Sequence, residues 1–193
     1  AGVSMAQGME KAGESRPVVG VVGDSTFFHS GITGLLDIAY NQGHSTIIVL
    51  DNRTTAMTGH QDHPGTGRTL QGEMTKQIKI EDIGRACGLE RIFAVNPYNL
   101  EQSEEVIFRE IEAQQSSLII SCAPCPLRER KRVGPVRRID EDECRGCELC
   151  LDLGCPAIEG GEEHPHINAA LCAGCGLCQQ VCPAGAIREG DGA

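Results

Sequence analysis

Residues 45–61 read STIIVLDNRTTAMTGHQ, and the way this stretch changes character decides the fold. Positions 45–50 are apolar and β-branched with no polar alternation, which is how a strand reads when helices cover both faces of a parallel sheet. The run then breaks at Asp51 and Asn52 into a polar loop. In such sheets the ligand crevice lies outside the carboxyl ends of the strands. The chemistry of this half of the chain is therefore expected at Asp51 and beyond.

Working outward, the same grammar repeats. Residues 17–22 form a short apolar strand ending at Gly23, and 30–41 fit a helix with Leu35, Leu36, Ile38 and Ala39 on its buried side. After a long glycine-rich loop, 81–87 reads as helix, 91–95 as strand, 100–115 as helix and 117–121 as strand. Strands alternating with helices predict an α/β domain with a parallel sheet. Aromatics make up 3% of the chain and tryptophan is absent, so its core is built from Val, Ile, Leu and Ala. The charges of 100–115, such as Glu104, Arg109 and Glu112, are explained by a solvated helix face.

Eight of the eleven cysteines crowd into the last fifty residues, as CRGCELCLDLGCP (144–156) and CAGCGLCQQVCP (172–183). A tetranuclear iron-sulfur cluster takes three thiolates from a C-x-x-C-x-x-C loop and a fourth from a distant segment, which in two-cluster ferredoxins belongs to the other motif. This assigns Cys144, Cys147, Cys150 and Cys182 to one cluster, and Cys172, Cys175, Cys178 and Cys155 to the other. Zinc knuckles use two C-x-x-C pairs or Cys/His mixtures instead. Disulfides suit neither the dense spacing nor a chain without a secretory pattern. The first motif has four residues before Cys155 where the second has three before Cys182. Cys122 and Cys125, in SCAPCP, have redox or metal spacing but no matching second pair, so a structural role is expected; Cys87 reads as core.

Net charge is -10, and from residue 139 onward eleven acids face only Arg145 and Arg188. Between the halves lies LRERKRVGPVRR (127–138), with six basic residues and a Gly-Pro break, which suits an exposed linker. A basic run without interleaved aromatics on an acidic protein does not make a nucleic-acid site. No stretch approaches the roughly twenty apolar residues of a membrane span. Together with cysteine usage this gives an expectation of a cytoplasmic protein, and the opening AGVSMAQGMEKAG reads as part of a longer chain.

Two strand ends carry oxygen donors. GDSTFFHSG places Asp24 after the first strand, and Asn52 follows twenty-eight positions later after the second. Carboxylate, amide and carbonyl oxygens are what magnesium takes, with phosphate completing its shell. Gly23, Gly31 and Gly34 would let backbone approach phosphates, and a helix amino end near Ser30 favours negative charge. Taken alone, an aspartate after a strand is more often a helix cap or turn former.

The GDS motif, Asn52 and the T-x-M-T-G-H-Q loop, with the two cysteine motifs behind them, resemble thiamine-diphosphate enzymes, and among them the ferredoxin-dependent 2-oxoacid oxidoreductases. Within these the likeness is strongest to the alpha subunits of the indolepyruvate branch. Ser25 replaces the usual third-position glycine, and Asp51-Asn52 the usual paired asparagines. The resemblance implies a thiamine-diphosphate-binding α/β domain over 1–126, the linker at 127–138, and a small α+β bacterial-ferredoxin-like domain with two [4Fe-4S] clusters over 139–193. By the same analogy Gly23, Asp24, Ser25, Asn52 and Thr54 bind the cofactor. Asp24, Asn52 and the Thr54 carbonyl hold magnesium. His29 and His60, with His63 beside them, are candidates for substrate contact or proton transfer, or for capping and packing alone.

The implied reaction is oxidative decarboxylation of an aryl 2-oxoacid such as indolepyruvate, with coenzyme A as acyl acceptor and external ferredoxin as electron acceptor. A beta subunit and an upstream domain supplying a glutamate are implied as partners. A pyruvate or branched-chain 2-oxoacid enzyme shares both modules, and a non-catalytic electron-transfer module is the alternative of a different class.

Overall fold

A computed structural model describes residues 2–190. The chain divides into two compact units, Ala1–Arg128 and Glu129–Ala193. The first contains a four-stranded sheet, β1 (Val19–Gly23), β2 (Thr46–Asp51), β3 (Arg91–Val95) and β4 (Ser117–Cys122), all parallel, in the order β1-β2-β4-β3. Ile47, Val49, Leu118 and Ile120 belong to one buried cluster with Leu35 and Ile38, while Ile119 packs with Val95 and Val106 in another. Helices thus cover both faces of the central strands, which is why β2 and β4 read as largely apolar, non-alternating runs.

Two helical features escaped the sequence. Helix α1 (Gly2–Lys11) buries only Val3, Ala6 and Gln7, too narrow a stripe to stand out in a polar, glycine-containing segment. The helix expected from about residue 30 begins at the strand end itself. It runs as α2 (Asp24–Thr26), a π-turn (Phe27–Gly31) and α3 (Ile32–Tyr40) without leaving helical space. The π-turn inserts an extra residue into the 3.6 period, so the apolar pattern resumes out of phase; such insertions gather at functional sites. The helix amino end therefore stands at Asp24 rather than Ser30. Gly34 is also reassigned. A Cβ there would stand 3.0 Å from Val3 Cγ1, so this glycine admits α1, and Gly31 faces the Phe27 ring at 3.1 Å; neither opens toward phosphate.

After α4 (Ile80–Ala86), α5 (Leu100–Glu112) and a short α6 (Pro126–Glu129), the second unit carries two antiparallel pairs. β5 (Arg137–Ile139) pairs with β8 (Ile187–Glu189), and β6 (Ile158–Glu159) with β7 (His166–Ile167). Its small core is Cys150, Ile158, Cys178 and Ile187. The stretch expected as an exposed linker is largely exposed but tied down at several points. The Val133 amide donates to the Ala173 carbonyl at 2.7 Å, Arg132 Nη2 donates to the Ala169 carbonyl, and Arg137 enters β5. Upstream, Arg128 Nη2 donates to Asp62 Oδ1 at 2.6 Å within the first unit. Three of the six basic residues of this run, Arg128, Arg132 and Arg137, are drawn into separate pairings.

Candidate cofactor and cluster sites

The register of the sheet builds the first site. Gly23 pairs with Leu50 and Asp51 with Cys122, so Asp24, Asp51 and Cys122 come to the carboxyl ends of three adjacent strands. Asp24 is buried, its Oδ1 accepting the Ser25 amide at 2.8 Å and its Oδ2 facing His63 Nε2 at 3.1 Å. Burial pushes the Asp24 carboxyl up, but the bonds to His63 and the Ser25 amide outweigh it and hold the group below its ordinary value. Asp51 is held above its ordinary value, chiefly by burial and partly by the neighbouring Asp24 carboxyl, while Arg53 opposes the rise. Arg53, at φ 61°, reaches from Asp51 Oδ2 (3.0 Å) to Cys122 Sγ (3.4 Å).

Asn52 and Thr54 form the adjacent turn. The Thr54 amide donates to Asn52 Oδ1 at 3.1 Å, and the buried Thr54 hydroxyl has no partner among the described residues. Thr55 Oγ1 donates to Ser25 Oγ at 2.9 Å, joining the two loops. His29 lines a cavity of about 510 Å³ with Ser25, Phe28, Thr55, His63 and Arg68. His60 sits apart from that lining, in a tight turn at φ 66°, with its amide donating to the Thr55 carbonyl. His63 and Arg53 are thus the close neighbours of the two carboxylates. Only His63 had been singled out in the sequence.

In the second unit, one cavity is lined by Cys144, Cys147, Cys150 and Cys182, and another by Cys155, Cys172, Cys175 and Cys178. Each fourth cysteine comes from the other motif. The first cavity is the tighter, about 20 Å³ against about 320 Å³. The loops match position by position: Gly146 (φ 62°) and Glu148 (φ 59°) correspond to Gly174 (φ 73°) and Gly176 (φ 77°), so the same left-handed turns aim each set of three cysteines inward. The extra residue before Cys155 is absorbed by a 3-10 turn, Leu151–Leu153, closed by Gly154 at φ 60°. The Cys178 thiol is pushed up to about 11 by burial and by the surrounding cysteines, and Cys150 is raised for the same reasons. Thiols so placed resist ionising until a cation joins them.

The family model described as "Thiamine pyrophosphate enzyme, C-terminal TPP binding domain" matches residues 1–121. The chain belongs to this thiamine pyrophosphate family. A second model, "4Fe-4S binding domain", matches residues 165–188, which hold the second cysteine motif. The chain is 44% identical over 178 residues to the indolepyruvate oxidoreductase subunit IorA of Methanothermobacter marburgensis, covering 92% of this chain and 29% of that protein. To the IorA subunit of Pyrococcus horikoshii it is 38% identical over 190 residues, with the same two coverages. The chain spans about three-tenths of the length of these relatives. The pyruvate synthase subunit PorD of M. marburgensis is 41% identical over 50 residues, 26% of this chain and 59% of that protein.

The residues of the first unit fit a thiamine pyrophosphate site. Gly23 has ordinary extended dihedrals, and a Cβ there would meet nothing within 4 Å, so the protein's own packing does not require a glycine; a group approaching from outside would. The free Thr54 hydroxyl, the paired carboxylates and the helix amino end at Asp24 supply hard oxygen donors and an anion-favouring dipole side by side. In the second unit the eight thiols fit iron-sulfur ligation. Among the described residues no three His, Cys, Asp or Glu converge on a single ion. Each set of four instead lines a cavity of its own.

Proposed function

We propose that this chain is the diphosphate-binding and electron-exporting part of a thiamine-diphosphate-dependent 2-oxoacid oxidoreductase that delivers electrons to ferredoxin, with indolepyruvate-type aryl 2-oxoacids as substrates and coenzyme A as acyl acceptor. The observation that carries this reading is the presence, in one chain, of a thiamine pyrophosphate fold and two four-cysteine cavities that exchange their fourth ligands. Bound thiamine diphosphate supplies the electron sink for decarboxylation, and clusters supply one-electron carriers for the two electrons that must leave.

The chain's own residues do the positioning. Asp24, Asn52 and Thr54 would hold magnesium against the diphosphate. His63 and the Ser25 amide keep Asp24 ionised and fixed in direction, so the charge presented to the cation does not depend on a mobile carboxylate. Arg53 offsets the second carboxylate, Asp51, and leaves one negative charge for the metal. His29 lines the cavity beside these loops and would meet a substrate bound there. Among the described residues no helix is long and apolar enough to cross a membrane.

The test is a panel of indolepyruvate, phenylpyruvate, pyruvate and 2-oxoisovalerate, with the full-length subunit, its partner, coenzyme A and ferredoxin under anaerobic conditions. Ferredoxin reduction with aryl substrates that Asp24→Ala abolishes, while iron content is unchanged, is the expected result. Preference for pyruvate or 2-oxoisovalerate would move the enzyme to another branch. No turnover and no thiamine diphosphate binding by the assembled protein would leave an electron-transfer module.

A further inference from the structure

The cavity of Cys155, Cys172, Cys175 and Cys178 contains a cation that neither cysteine motif supplies. Arg137 lines it, with its side chain only 11% exposed. The Arg137 amide donates to Cys172 Sγ at 3.5 Å. Its guanidinium lies along Gly176, where an added Cβ would stand 3.2 Å from Nη2 and 3.7 Å from Nε. Gly176 sits between Cys175 and Cys178, so the guanidinium is held against the ligand loop. Nε is buried and has no partner among the described residues, while Nη1 is ion-paired with Glu189 Oε1 at 2.8 Å.

Buried polar groups in folded proteins have partners, and the orphaned Nε–H points to an acceptor of another origin. Among the described residues that line this cavity, all but Arg137 are apolar, glycine or cysteine, so its side-chain acceptors are sulfurs; Glu189, the ion partner of Nη1, does not line it. The other cavity differs: its basic residue, Arg145, is exposed.

We propose that Arg137 donates hydrogen bonds to the sulfurs of the second cluster and raises its reduction potential above that of the first. This rests on the cluster reading given above. Reduction adds one electron to a cluster with no bond made or broken, and a buried cation with hydrogen bonds to sulfur favours the more negative state. Glu189 opposes this only partly, because its side chain is 65% exposed and screened by water. The second cluster is therefore where an electron comes to rest within the pair.

The full chain, loaded anaerobically with iron and sulfide, is titrated with dithionite and followed by electron paramagnetic resonance. The signal lost in Cys175→Ala identifies the second cluster. In Arg137→Gln, with iron and sulfide retained, that cluster is expected to be at least tenfold harder to reduce, about 59 mV lower for a one-electron couple, while the first does not move. Glu189→Gln is expected to shift the same cluster upward. Both midpoints unmoved in an intact Arg137→Gln protein overturns the proposal. If Arg137→Gln fails to hold its cluster, an unmoved midpoint in Glu189→Gln overturns it instead. A wild-type chain that takes up no iron and sulfide defeats the cluster reading itself, before any variant is made.

Discussion

His63 Nε2 stands 3.1 Å from Asp24 Oδ2, and both side chains are buried. The Gly65 amide donates to the other ring nitrogen, Nδ1, at 3.2 Å, so the proton of this imidazole resides on Nε2 and is directed at the carboxylate. Such a partner fixes a ligand's orientation, and its loss typically costs about 10- to 100-fold in metal affinity. His63→Ala in the full-length protein should weaken magnesium-dependent thiamine diphosphate binding by roughly that factor. Iron content should stay the same. Calorimetric titration of cofactor and magnesium measures it, and an unchanged affinity would mean that His63 only packs against Phe28, whose ring centroid lies 5.4 Å away.

The two cysteine cavities should fail one at a time, and in crossed fashion. Cys155 follows the first motif but lines the cavity of Cys172, Cys175 and Cys178, while Cys182 follows the second and lines the other. Cys155→Ala should therefore damage the cluster held by the 172–178 loop, and Cys182→Ala the one held by the 144–150 loop. Iron and sulfide analysis with spin-resonance spectra distinguishes the two. Each variant damaging its own motif's cluster would reverse the assignment.

What was legible in the sequence was local. The strands at 45–50 and 117–121 announced themselves because a doubly covered strand is dominated by apolar, β-branched residues without alternation, and the two cysteine groups, which line separate cavities, because their members lie at short spacings. In the sequence Arg137 belongs to a basic run, since its charge is visible there but the pairing of β5 with β8 that folds it beside Cys172 is not. Arg53 was missed for a similar reason. It matters because parallel register brings Asp51 opposite Cys122. The helix start at Asp24 was hidden by a π-turn that shifts the apolar period, and α1 by a buried stripe of three residues.

Two left-handed glycines in the second unit should respond very differently to alanine. Gly154, at φ 60°, has open space where a Cβ would go, so Gly154→Ala should cost only the conformational penalty of about 1–2 kcal/mol. Gly174, at φ 73°, would place its Cβ 2.1 Å from the Gly134 carbonyl oxygen, which is backbone and cannot swing aside. Gly174→Ala must therefore push residues 133–137 off the second cysteine loop. Loss of cluster absorbance in a urea titration should come at distinctly lower denaturant for Gly174→Ala than for Gly154→Ala. Equal midpoints would show that the close approach of these two loops contributes little.

The order in which the thiols react in the metal-free chain follows from burial. Cys147 is exposed, whereas Cys178 is buried among three other cysteines and raised to about 11. Only the thiolate reacts, and an ordinary cysteine near 8.5 is about a quarter ionised at pH 8. A thiol at about 11 is ionised in only roughly one molecule in a thousand at that pH. Iodoacetamide at pH 8 should therefore label the exposed Cys147 early and Cys178 last, and raising the pH toward 10 should speed the labelling of Cys178 as its buried thiol ionises. Loading with iron and sulfide should protect both, since every ligand must give up its proton to the metal. Peptide mapping by mass spectrometry reads the order directly. Equal labelling rates at pH 8 would show that the second cavity does not persist without its metal.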